Sequence, residues 1–147
     1  MLDQENTPFQ KIIVGVDISD QTPHVLRMAS YLSNVLNSKI VVCSVANMGT
    51  SVKGNDMDGY PGNDQELSII NTLQEMIHKE FGEHAEHVEV KILHGDPAER
   101  ISEYADYLGS DLILVGSRGR GALKKTLLGS VSSSVANRSK KSVLILK

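Results

Sequence analysis

A parallel α/β sheet of five strands, with helices on both faces, is the fold that this sequence predicts, and three observations predict it. Five short strand-like runs alternate with segments of helical periodicity along the 147 residues. Four of those runs are apolar almost throughout, as strands covered on both faces must be. The fifth, His87 to Leu93, alternates, with Val88, Val90 and Ile92 on one side and His87, Glu89 and Lys91 on the other. One wetter face puts that strand at a sheet edge. Right-handed crossovers leave few topologies.

The first strand is Lys11 to Val16, ending at Asp17. Thr22-Pro23 then reads as a helix start, a hydroxyl N-cap with proline at the first helical position. Val25, Met28, Leu32, Val35 and Leu36 carry that helix to about Asn37, and Lys39 to Val45 is the second strand. Residues 46–63 are rich in Gly, Asn, Asp and Ser and read as a long flexible loop. Leu67, Ile70, Leu73, Ile77 and Phe81 mark a second helix from Asp64 to about Glu83. After the edge strand, Asp96-Pro97 opens a third helix, with Asp96 as cap and Glu99 in a capping-box position. Leu112 to Val115 is the fourth strand, Ser130 to about Arg138 a short helix with Val131 and Val135 facing inward, and Val143 to Leu146 the fifth strand.

Length and composition fit one domain, residues 1–147, with a real core. No apolar run reaches the ~18 residues of a membrane span. The acidic start, Met1 to Glu5, lacks the basic and apolar regions of a signal peptide. The single cysteine, Cys43, lies in a buried run and reads as inert, and a cytoplasmic location is expected. The five histidines are scattered and predict no metal site. The net charge of −3 conceals a split. Through Asp111 the chain has 18 acidic and 7 basic side chains; beyond it there are eight basic and no acidic ones. Such a tail suits an anionic partner. It holds no aromatic residue, so the stacking surfaces of single-strand nucleic-acid binders are missing, and a small phosphate ligand fits better.

The fourth strand runs into Gly116-Ser117-Arg118-Gly119-Arg120-Gly121, and after nine intervening residues Gly119 is followed by Gly129-Ser130 at a helix start. Glycines admit an anion close to the backbone, and a helix N-terminus offers unpaired N–H groups. Neither the P-loop nor the G-x-G-x-x-G pattern is present. In parallel sheets ligands bind beyond the carboxyl strand ends where strand order reverses. If strands one and four are neighbours, Asp17 faces the glycine loop; its alternative reading is a cap of the loop before the first helix. No nucleophile–base pair emerges from the spacing.

Gly116 to Gly121, with Leu127-Leu128-Gly129-Ser130-Val131-Ser132, resembles the nucleotide-binding signature of the universal stress protein family. Val14-Gly15-Val16-Asp17, His94-Gly95-Asp96-Pro97-Ala98 and Asp111 to Gly116 resemble the same family, so the likeness covers nearly the whole chain. It implies a Rossmann-like fold of the adenine nucleotide alpha hydrolase type with strand order 3-2-1-4-5, and membership of the ATP-binding branch. It implies Val16 and Asp17 beside the adenosine, Val45 contacting adenine through its backbone, and Gly116 by the ribose. Gly119, Gly129 and Ser130 would line the phosphates, Arg118 and Arg120 would add charge, and Ser117, Val131 and Ser132 complete the cofactor-binding set. The ligand implied is ATP, with AMP or ADP as alternatives and Mg2+ as a companion ion. The resemblance also implies a homodimer through Val143–Leu146, despite Lys140-Lys141-Ser142 where relatives often have Cys-Pro. The expected function is a nucleotide-dependent regulatory module for an unidentified protein partner, not an enzyme. A slow ATPase or phosphotransferase, and a nucleotide-free adaptor using the basic tail, are the alternatives.

Overall fold

Five strands lie side by side and all parallel: β1 (Lys11–Gly15), β2 (Lys39–Ala46), β3 (Glu89–His94), β4 (Leu112–Gly116) and β5 (Ser142–Leu146). Their order is β3-β2-β1-β4-β5, as expected. A computed structural model describes residues 8–46, 63–118 and 128–147. The expected loop at 46–63 therefore lies, apart from its two ends, outside the described residues. The helices are α1 (Thr22–Leu36), α2 (Asn63–Phe81), α3 (Pro97–Leu108) and α4 (Ser130–Arg138). None among the described residues is long and apolar enough to cross a membrane.

Register explains the two cores. Ile12 pairs with Ile40 and Leu112, and Val14 with Val42 and Leu114, so all six side chains emerge on one face. There they pack against Val25, Leu26 and Ala29 of α1 and Leu73, Ile77 and Phe81 of α2. Ile13, Val41, Cys43, Ile113 and Val115 emerge on the other, against Ala98, Ile101 and Ala105 of α3 and Val135 of α4. The alternation of a strand thus serves two helical layers, each contributing through burial of apolar area. At Gly15, α3 packs close against the sheet. A Cβ there would lie 2.9 Å from Ile101 Cδ1 and 3.1 Å from Val115 Cγ1.

Two helix starts differ in their chemistry. Asp96 caps α3 as expected, its carboxylate accepting from Glu99 N at 3.0 Å. The α1 expectation is corrected by one residue. Gln21 occupies the N-cap position without a side-chain cap bond, and Thr22 is the first helical residue. The Thr22 hydroxyl accepts from Ser19 N at 2.9 Å, while Thr22 N donates to Ser19 O at 3.1 Å. That exchange orders the turn and releases the Gln21 amide for other work. β3 begins at Glu89 rather than His87, because Gly82–His87 continues α2 as a 3-10 helical turn.

At the amino ends of the strands, Asp111 ties β4 to β1. Its carboxylate accepts from Gln10 N (2.9 Å) and Lys11 N (3.0 Å), and its own N–H donates to Lys11 O (3.1 Å). This end is closed; the opposite end opens into a cleft.

Candidate functional site

The carboxyl ends of β1, β2 and β4 surround a cleft of about 850 Å³. That volume lies within the range of small-molecule sites. It sits where strand order reverses, since β1 sends the chain to β2 on one side while β4 lies on its other. One wall is Gly15 to Ser19 with Gln21, Thr22 and Val25 of α1. A second is Ser44, Val45 and Ala46 with Gln65 and Ile69 of α2 and Pro97 and Ile101 of α3. The third is Val115, Gly116 and Arg118 with Gly129 to Ser132 at the start of α4.

The second wall supplies Val45, Ile69, Pro97 and Ile101, a largely apolar surface suited to a flat hydrophobic group. The third wall supplies amides. α4 begins after Gly129, whose extended backbone (φ −66°, ψ 164°) makes no side-chain cap bond, and its first turn carries no acidic residue. The first bond of the helix runs from Ser133 N to Gly129 O at 3.1 Å, so the N–H groups of Ser130, Val131 and Ser132 precede it. A helix start in this state attracts an anion through its free donors and its dipole. Asp96 and Glu99 neutralise the same property at α3. Asp17 and Arg118 are the charged side chains of the described lining.

Of the residues singled out from sequence, Val16, Asp17, Val45, Gly116, Arg118, Gly129, Ser130, Val131 and Ser132 all border this cleft. Gly119 and Arg120 lie outside the described residues. Ser117 departs from expectation. It is buried below the cleft and absent from the described lining. Its N–H donates to Leu146 O (2.8 Å), its carbonyl accepts from Gly129 N (2.5 Å), and its hydroxyl lies 3.4 Å from Gln21 Nε2. Ser132 borders the cleft but turns its hydroxyl inward, within reach of Ser117 O (3.2 Å) and Gly129 O (3.1 Å). These two serines fasten β4, β5 and α4 together beneath the start of α4.

Gln21 is the residue that sequence reasoning missed. Its Oε1 accepts from Arg118 N at 3.0 Å and its Nε2 donates to Leu146 O at 2.9 Å. The contacts span 97 and 125 residues, so no local pattern announces them. Ile18 is a second. It is β-branched yet has φ 53°, a left-handed conformation that marks a backbone bent against its preference beside Asp17. Cys43 stays out of the site: burial pushes its thiol up to about 12, against a smaller opposing pull from Lys91. Among the described residues no three His, Cys, Asp or Glu side chains gather as a metal site would require.

Comparison with known proteins agrees with this geometry. The stress response protein NhaX of Bacillus subtilis is 29% identical over 93% of this chain and 97% of its own length. The structure of MJ0577, a Methanocaldococcus jannaschii universal stress protein, superposes with a TM-score of 0.76 at 27% identity, covering 95% of this chain and 96% of that one. A universal stress protein crystallised in complex with cAMP superposes with a TM-score of 0.69 at 27% identity, covering 95% and 97%. The model of the universal stress protein family matches residues 8–147. With the family's sheet order, its switch-point cleft and a match across nearly its whole length, the chain belongs to the universal stress protein family.

Proposed function

We propose that this chain binds an adenine nucleotide, ATP foremost, and works in the cytoplasm as a homodimeric regulatory module whose nucleotide state tunes contact with a protein partner. The observation that carries the reading is the switch-point cleft with one apolar wall and an uncapped α4 start opposite. The cAMP complex of a relative at 27% identity supports an adenine nucleotide as ligand. Adenine lies against Val45 and its apolar neighbours, the ribose near Asp17 and Gly116, and the phosphates at Gly129 and Ser130, with Arg118 adding charge.

Mg2+ fits as a companion of the nucleotide. It accepts one or two carboxylates plus substrate phosphates, and Asp17 is the carboxylate in the described lining. The reading is of binding without turnover, and ATP left intact after incubation with the protein is the outcome that supports it. The distribution of basic residues also favours a small ligand over nucleic acid. Lys140 and Lys141 precede the amino end of β5, whereas Arg118 and Lys147 follow the carboxyl ends of β4 and β5. The tail is therefore divided between opposite ends of the sheet.

β5 pairs only with β4 among the described strands, so its outer edge suits antiparallel pairing with a second copy. Mass spectrometry of nucleotide carried through purification, with ATP titration by calorimetry, tests the ligand. Neither bound nucleotide nor heat would refute it. Sedimentation equilibrium tests the dimer against the 16.0 kDa chain mass.

A further inference from the structure

We infer that Gln21 is a positioning residue that fixes the exit of β4 beside the anion-binding start of α4, and that position 116 is glycine in order to admit it. The inference rests on the nucleotide reading above and deepens it. The Gln21 side chain stands between three segments: the β1–α1 turn that carries it, the exit of β4, and the last residue of β5. It accepts from Arg118 N and donates to Leu146 O. Those partners fix the amide's orientation, because an N–H can only donate and a carbonyl can only accept. Leu146 O receives a second bond from Ser117 N at 2.8 Å. Consecutive residues 117 and 118 are thus held against the end of β5 and the start of α1 at once.

The clamp fixes the backbone at 117 and 118 beside the start of α4, where Gly129 N donates to Ser117 O. The same amide explains Gly116. A Cβ there would sit 2.5 Å from Gln21 Oε1, 2.9 Å from Gln21 Cδ and 3.3 Å from Val25 Cγ2. Val25 belongs to the core, but the Gln21 amide can swing away. Alanine at 116 would therefore displace the amide from Arg118 and Leu146 rather than break the sheet. Gly116 acts here through Gln21.

Calorimetric titration of wild type, Gln21→Met, Gln21→Ala, Gly116→Ala and the double variant Gln21→Ala/Gly116→Ala with ATP and with adenosine tests this. Gln21→Met keeps the bulk and removes the amide's hydrogen bonds to Arg118 N, Leu146 O and the Ser117 hydroxyl, and should weaken ATP by about tenfold. The ATP loss should exceed the adenosine loss at least ~3-fold, since the clamp orients the phosphate side. Gly116→Ala should weaken ATP by about tenfold in wild type and less than ~3-fold in Gln21→Ala, the signature of one shared interaction. Equal losses for ATP and adenosine in Gln21→Met, or additive losses in the double variant, overturn the inference. If Gly116→Ala fails to fold, the ATP-to-adenosine split in Gln21→Met decides. If wild type binds neither ligand, the nucleotide reading falls by itself. The clamp is then judged by urea midpoints of wild type, Gln21→Ala, Gly116→Ala and the double variant without ligand: non-additive midpoints support it and additive ones overturn it.

Discussion

Replacing Ser132 by alanine separates two roles that its position near the cleft confounds. The serine is 2% exposed, and its hydroxyl is shared between the carbonyls of Ser117 and Gly129. Each carbonyl keeps another donor after the change: Gly129 N for the first and Ser133 N for the second. No buried acceptor is orphaned, so the loss is one net hydrogen bond, about 1 kcal/mol. Alanine returns up to roughly 0.5 kcal/mol through its higher helix propensity. The net destabilisation is about 0.5–1 kcal/mol, a fall in Tm of about 2–4 °C. Because the hydroxyl faces the protein, ATP affinity should change by less than about 3-fold, under 1 kcal/mol. Thermal unfolding by circular dichroism and ATP titration by calorimetry supply the two numbers. A tenfold loss of ATP affinity with an unchanged Tm would mean that the hydroxyl serves the ligand, and would refute this reasoning.

Cys43 should resist a thiol reagent in the native protein and react fully in denaturant, because only the thiolate is nucleophilic. Its thiol is held near 12 when folded against an ordinary 9.0, so the folded state keeps a proton that the unfolded state gives up between those values. Its contribution is intact below pH 9 and falls as pH rises toward 12, by about 1.4 kcal/mol per unit, measurable in urea as a narrowing gap to Cys43→Ala. Ile18→Gly should leave stability within about 1 kcal/mol of wild type, since relief of the left-handed strain offsets lost packing. Ile13→Ala, at a fully buried position, should cost about 2–5 kcal/mol in the same urea assay. Asp111→Ala should cost about 1–2 kcal/mol, because it strips a charged acceptor from Gln10 N and Lys11 N at an exposed edge; an unchanged urea midpoint would show the clasp to be idle.

What was legible in the sequence follows from the range of the forces involved. Buried parallel strands announce themselves as apolar runs, so β1, β2, β4 and β5 could be placed to within a residue or two. The alternation of Val88, Val90 and Ile92 against Glu89 and Lys91 located β3 at its edge. Asp96-Pro97 marked a helix start because a cap acts over three residues. The cleft followed from strand order, which brought Asp17 and the Gly129–Ser132 turn to one mouth. Gln21 and Asp111 could not be read in the same way. Their bonds join segments about 100 residues apart, and their own neighbourhoods show only an ordinary turn and a helix end. The inward hydroxyls of Ser117 and Ser132 were hidden for a related reason: a serine beside a glycine loop has the same spelling whether it faces a phosphate or a carbonyl.

The carbonyl of Leu146, held by both Ser117 and Gln21, has a practical consequence for anyone handling the protein. β5 finishes at the open end of the sheet, one residue before Lys147, whereas Gln10 and Lys11 enter at the closed end. A purification tag or fluorescent fusion attached after Lys147 would hang beside the mouth of the cleft and tug on the stitch that shapes it.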